Sequence, residues 1–464
     1  MFRLLAVCVS FGVGYGDFCA YAARYTATQN TEQAQGNIYV TARVEEARDS
    51  GKGVWMVLDG LSFDGKAAAG KLALYLYSAE AAENANEGSI VAFDAKISAN
   101  TAWADENGER VYEWRRNIRY EAENCKNFRV LQSGTGLFAR LRARLKNTLK
   151  QSASDEAYAL SLAILTGETA EMDDELSQSF RYGGVAHIFA VSGLHVGALF
   201  AFVTAFFSSR RLAGMHGAAK WSITAGALLF YGAICGFSAS VVRAVVMSLS
   251  FYADKLSGLK RDSLNSAGKA AVLVLLVSPV SLFDAGFLLS FSAVAGILCL
   301  TPTFSRLFSV WLPERGKAKK FKKLPGAVFD LLAVSLGATA ATLPVLCRCF
   351  GYVSGVSVIL NVLVVPIVSA AFPVFLAAAV IAAILPPLAG VILYVPSLLL
   401  SGLSLLFYAA DFSAFAIETG LSAASLFGCC GACVCACDRV NLRCGVRVAG
   451  ICAGGLVFLA GFFL

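Results

Sequence analysis

The stretch VAHIFAVSGLHVG, Val185 to Gly197, opens an apolar run that continues to Phe207 and holds two of the three histidines in a chain of 464 residues. A run of that length crosses a bilayer, and ionisable groups inside one are costly. His187, Val191 and His195 recur at steps of four, which would set both imidazoles on one side of a helix with Ser192 nearby. Gly193 and Gly197 loosen that helix and admit a close neighbouring backbone. A polar, glycine-loosened face in a membrane span points to a site or a pathway.

The rest of the chain sets this stretch among many like it. Hydrophobic residues make up 57% and charged residues only 15%, a balance that excludes a soluble enzyme of this length and predicts a polytopic α-helical membrane protein. Apolar spans are expected near residues 185–208, 218–236, 238–253, 264–278, 283–301, 326–346, 353–385, 388–410, 421–437 and 446–464. Residues 1–24 add an N-terminal anchor, with a cleaved signal peptide as the alternative, giving about eleven spans. With Met1 in the cytoplasm, the inner loops carry Arg210, Arg211 and Lys220; Lys255, Lys260 and Arg261; Arg306 with the run Arg315, Lys317, Lys319, Lys320, Lys322 and Lys323; and Arg439, Arg443 and Arg447. The intervening loops of the bundle are nearly free of Lys and Arg, as the positive-inside bias requires. The 353–385 stretch exceeds one straight crossing, and Pro366 and Pro373 suggest either a broken element, with Asn361 free to bind backbone or ligand, or a kinked helix.

Between the first span and the bundle, residues 36–130 turn polar and alternate with period two in IYVTARVEE, VWMVLDGLSF, KLALYLYS and SIVAFDAKISA. This reads as a small extracytoplasmic β domain, an OB-like barrel of five strands. Its body to Glu109 carries six Lys/Arg against twelve Asp/Glu, and Arg110 to Lys150 carries eleven against three. The basic part ends in LFARLRARLKNTLK, where Leu137, Leu141, Leu145 and Leu149 recur every fourth residue among Arg140, Arg142, Arg144, Lys146 and Lys150. Residues 137–182 are therefore expected as amphipathic, interfacial helices that meet lipid headgroups or phosphates of a nucleic acid. Tyr39, Trp55, Trp103 and Trp114 are either barrel core or stacking platforms for bases.

Few residues carry chemistry. Arg243 lies inside a span, at a cost of roughly 2.5 to 3.5 kcal/mol, so Asp284 or Asp330 pairs with it or it faces an anion. His187 and His195 fit an interhelical hydrogen bond as well as a functional role, and without a nearby carboxylate they make a poor zinc site. The cysteines from Cys429 to Cys444 include one CxxC, Cys430 and Cys433, but not the second of a zinc ribbon, so helix packing is the expected role. Three histidines without HxH or HExxH, and no GxxxxGK[ST] loop, argue against a metallohydrolase or a nucleotide-driven pump. No metal, cofactor or enzymatic activity is expected.

Five motifs in order resemble the signatures of the ComEC family of competence proteins: LTGETAEMDDELSQSFRYGGVAHIFAVSGLHVGAL from Leu165, GFSASVVRAVVM from Gly236, SPVSLFDAGFLLSFSAVAGIL from Ser278, ATLPVLCRCFGYVS from Ala341 and ILNVLVVPIVSAAFP from Ile359. The resemblance is strong over about 150–410 and weaker over the β region. It implies an inner-membrane channel, over 185–464, that carries single-stranded DNA into the cytoplasm during natural transformation. Positions matching the signatures are Gly167, Glu168, His187, Ser192, Gly193, Leu194, His195, Gly197, Arg243, Pro279, Asp284, Gly286, Phe287, Ser290, Phe291, Pro344, Asn361 and Pro366. His187, Ser192, His195, Arg243, Asp284 and Asn361 are the pathway candidates. The basic residues from Arg140 to Lys150, with Lys319, Lys320, Lys322 and Lys323, are candidates for meeting DNA phosphates, lipid or a cytoplasmic motor. Many family members carry a C-terminal metallo-β-lactamase-like domain, whereas this sequence ends in hydrophobic spans. A separate nuclease, DNA receptor and helicase are therefore the partners expected. A carrier of a small anionic or lipid-linked solute and a non-transporting scaffold remain the alternatives.

Overall fold

The computed structural model of the protein describes residues 37–418, apart from 310–322 and short loop stretches, and isolated turns between 429 and 457. The candidate anchor at 1–24, Trp103, Trp114, Lys319, Lys320, Lys322 and most of the last two candidate spans lie outside the described residues.

Five strands build the β domain: β1 Asn37–Asp49, β2 Val54–Phe63, β3 Lys71–Leu76, β4 Ile90–Ala99 and β5 Ile118–Gln132. They close in the order β1, β2, β3, β5, β4 and back to β1, every pair antiparallel except β3 with β5. That closed order with one parallel pair is an OB-like barrel. Alternation places Leu72, Leu74 and Leu76 inward on β3, against Val40, Val44, Met56, Leu58 and Phe93. Register shifts in β1 between Thr41 and Arg43 and between Val44 and Glu46 bend the strand enough to pair with both β2 and β4. Asp64 and Gly65, both at positive φ, turn β2 into a short two-residue strand, Lys66–Ala67. Tyr39 is 47% exposed and so lies outside the barrel core, whereas Trp55 is half-buried.

Twelve helices follow among the residues described up to 418: α1 Leu137–Ser152, α2 Asp155–Thr166, α3 Asp174–Tyr182, α4 Gly193–Phe206, α5 Gly217–Ile234, α6 Ala239–Leu256, α7 Ser263–Val277, α8 Ala285–Cys299, α9 Thr301–Ser309, α10 Lys323–Phe350, α11 Ser357–Ile384 and α12 Ala389–Ala409. Two short strands, β6 Tyr352–Ser354 and β7 Ala416–Glu418, pair at one end of the bundle. Among the described residues three helices are long and apolar enough to cross a membrane, in α10, α11 and α12, and α8 with α9, bent by 40°, makes a fourth if it is one span. Among the described residues the other candidate spans form shorter or more charged helices. The 14 residues of α4, for example, reach only about 21 Å against a hydrocarbon core of about 30 Å.

One expected element differs. Residues 185–208 do not form one helix: a 3-10 turn, Ala186–Ile188, is followed by non-helical backbone, and α4 begins at Gly193 under a Ser192 cap. His187 and His195 therefore do not share a helix face, because the four-step rule holds only where the backbone stays helical. The 353–385 stretch follows the second of its two alternatives, since α11 runs through Pro366 and Pro373 as one helix of 28 residues. Small residues set the tightest crossing, where a Cβ on Gly296 of α8 would stand 2.1 Å from the Gly337 carbonyl oxygen of α10. At the centre, α2 is buried at every position from Ala157 to Thr166, as a helix with no polar face must be.

Candidate functional site

The segment that links α3 to α4 gathers the signature residues. Ser179 Oγ on α3 donates to the Phe407 carbonyl oxygen at 2.6 Å, and a Cβ on Gly183 would lie 3.0 Å from the Phe407 ring and 3.1 Å from Leu360. Gly184, at φ +73°, lets the chain turn where a side chain would strike Ser357 at 2.4 Å. The backbone then descends along α11. His187 is exposed on its 3-10 turn, while Ile188, Phe189 and Val191 are buried. Gly167, the left-handed cap of α2, makes room for the Val191 methyl, to which a Cβ would come within 3.0 Å. Ser240 Oγ on α6 donates to the Val191 carbonyl oxygen at 3.0 Å, which ties the first turn of α6 to this segment.

At the start of α4, Ser192 Oγ accepts the Leu194 N–H at 3.3 Å, and the Ser192 N–H donates to His195 Nδ1 at 3.3 Å. With Nδ1 accepting, the neutral ring carries its proton on Nε2. That nitrogen is buried without a hydrogen-bond partner among the described residues. His195 is fully buried with its ring edge-on to Phe372, centroids 4.7 Å apart. Phe372 lies fifteen residues into α11, about 22 Å along a helix about 42 Å long. His195 and the start of α4 thus sit level with the middle of the most apolar helix of the bundle. Non-helical backbone at that level is tolerated only where protein buries it or a cavity lines it.

Arg243 reaches the same place from α6. Its side chain is 4% exposed, its Nη1 donates to the Ser290 carbonyl oxygen of α8, and its guanidinium lies 5.4 Å from the centre of the Phe291 ring. A Cβ on Gly193 would stand 2.9 Å from Nη2, and Nε has no partner. The expected ion pair with Asp284 or Asp330 does not form: Asp284 Oδ1 caps α8 by accepting the Phe287 N–H at 3.0 Å, and Asp330 is exposed on α10. Among the described residues no carboxylate pairs with Arg243. Asn361 stands apart, eleven residues and about 16 Å above Phe372 on α11, with Oδ1 buried and unpartnered among the described residues.

The amphipathic helix is placed differently from a free interfacial one. Leu145 and Leu149 of α1 are buried in the same core as α2, α11 and α12. Arg142 pairs with Glu87 of the β domain, and Lys146 pairs with Glu168. Arg140, Arg144 and Lys150 remain exposed, and Lys323 opens α10. Among the described residues no three His, Cys, Asp or Glu side chains are grouped to hold a metal. The Cys429 and Cys433 thiols both face the Ala340 carbonyl oxygen of α10, at 3.9 and 3.7 Å.

Sequence reasoning picked out Ser192, His195 and Arg243, which the fold brings together. It missed Ser240, one turn before Arg243 on the same helix, and Phe372, which nothing in an apolar run distinguishes from its neighbours.

A family model described as competence protein matches residues 164–440, a span that includes every residue of this cluster. Among individual proteins, the chain is 31% identical over 207 residues to ComE operon protein 3 of Bacillus subtilis, covering 44% of this chain and 24% of that one. It is 30% identical over 183 residues to competence protein ComA of Neisseria gonorrhoeae, covering 36% and 26%. An uncharacterized protein of Aquifex aeolicus is 30% identical over 233 residues, half of each chain. The chain thus spans half or less of the length of these relatives. No solved structure matches it.

Proposed function

The chain belongs to the competence protein family, and from that premise we propose that it forms an inner-membrane channel through which single-stranded DNA passes into the cytoplasm during natural transformation. The observation that carries the reading is that the segment between α3 and α4 reaches the level of the middle of α11 through turns and a short 3-10 helix, and ends on the N-terminus of a half-length α-helix. Such half-helices, aimed at mid-membrane, serve translocation sites for anions, because the helix dipole favours negative charge there. A scaffold has no need of that arrangement.

In this reading the barrel lies outside the cytoplasm and presents the strand to the bundle. The exposed Arg140, Arg144 and Lys150 of α1 meet its phosphates at the mouth, and Asn361 flanks the upper part of the route. Lys319, Lys320, Lys322 and Lys323 meet the emerging strand or its motor on the other side. A DNA receptor, a nuclease and a cytoplasmic helicase are the expected partners.

The test is uptake of labelled DNA by cells lacking this protein. Cytoplasmic label should vanish while surface-bound label persists; normal internalisation in the deletion strain would sink the proposal. Liposome flux of a small anion in the absence of DNA would favour a solute carrier instead.

A further inference from the structure

We propose that Arg243 and the first turn of α4 form a subsite for one phosphodiester of the passing strand. The inference rests on the channel reading above and assigns a contact within it. Three positive features converge there. The N-terminus of α4 carries about half a unit charge, and the guanidinium packs directly against its first residue, Gly193. The N-terminus of α6 lies within the same reach, since Ser240 in its first turn is bonded to Val191, and Ser238 makes no side-chain cap to this helix.

A cation buried for structural reasons is paired, because an unpaired one in a dry interior is strongly unfavourable. Arg243 is 96% shielded, spends Nη1 on a carbonyl, and leaves Nε unmatched with no carboxylate beside it among the described residues. Its remaining donors form the planar fork that matches phosphate oxygens. Gly193 leaves the guanidinium its place at the helix end, since a Cβ there would stand 2.9 Å from Nη2 and displace it. A phosphodiester carries a single charge, and one arginine with two helix ends holds it firmly enough to admit it and loosely enough to release it. The subsite is closed in this state, and a strand reaches it when α4 and the first turn of α6 part.

The test is conductance of the full chain in planar bilayers, with a short single-stranded oligonucleotide added from the barrel side and its blockades timed. Arg243→Gln is expected to shorten blockades about ten- to a hundred-fold. Arg243→Lys should retain part of the effect. Gly193→Ala, which leaves every charge in place, should shorten them as well. A strand with uncharged methylphosphonate linkages should block the wild type as briefly as the native strand blocks Arg243→Gln. Unchanged blockades in Arg243→Gln and Gly193→Ala, or equal blockades by charged and uncharged strands, would overturn the subsite while leaving the channel. A wild-type protein that neither conducts nor is blocked would remove the channel reading itself.

Discussion

Ser192 both caps α4 and holds His195, through contacts of 3.3 Å each. Ser192→Ala is expected to cost about 1 kcal/mol in thermal unfolding of the purified protein, the usual worth of an N-cap. Ser192→Asp is the more telling change. Aspartate caps a helix as well as serine and adds a negative charge at the positive end of α4, next to the residue against which Arg243 packs. Stability should hold or rise by up to about 1 kcal/mol, while DNA internalisation falls to background because the chain now supplies its own anion. A variant that is both more stable and fully active would show that no strand phosphate visits this place. His195 was legible as a candidate because an imidazole inside an apolar run needs a reason to be there. Its separation from His187 was not legible, because spacing reports a shared face only for a continuous helix, and the helix gives way where Val191 meets Gly167 and Ser240 from elsewhere in the fold.

Between elements, α1 ties the barrel to the bundle through Glu87 and Arg142. Burial holds the Glu87 carboxyl above the usual carboxylate range, outweighing the pull of Arg142. The folded protein therefore binds that proton more tightly than the unfolded chain, so this group's penalty is absent in acid and grows as pH rises through its folded value. Glu87→Gln should leave thermal stability unchanged or higher at neutral pH, with the difference closing near about pH 4. Arg142→Ala should cost about 1 to 2 kcal/mol at neutral pH, since it strands a half-buried carboxylate. A loss of stability in Glu87→Gln larger than in Arg142→Ala would reverse this assignment. The four-residue leucine spacing of α1 was readable, and so was its amphipathic character. What covers the leucines was not, because periodicity gives a face and not its partner: Leu145 and Leu149 bury against protein where lipid was equally consistent. The α8–α10 crossing offers a sharper packing test. Gly296→Ala would force a methyl to within 2.1 Å of a carbonyl oxygen and should destabilise by about 1 to 3 kcal/mol in detergent. Gly402→Ala on α12, with nothing within 4 Å, should be neutral or slightly stabilising.

Across the whole molecule, two architectures share one chain because their hydrophobic patterns differ in period: two in the barrel, helical or unbroken in the bundle. That contrast made the barrel and the long helices α10 to α12 visible from residues alone. The number of crossings was harder to read, since a short apolar run looks the same whether it spans, enters partway, or packs as a buried helix like α2. The proposed orientation rests on charge. The basic loops before α5, after α6 and before α10 fall on one side if α10, α11 and α12 alternate in direction, and the β6–β7 pair joins the ends on the opposite side. The proposed orientation puts the barrel on the β6–β7 side, where α3 packs against that end of the bundle through Ser179 and Gly183. An epitope inserted at the exposed Asp64–Gly65 turn, where positive φ at both residues marks a hairpin tip clear of the barrel core, should be reached by antibody on spheroplasts without permeabilisation. The same epitope placed among residues 315–320 should be reached only after permeabilisation. The opposite pattern would invert the protein in the membrane, and with it the direction in which a strand meets Asn361 before Arg243.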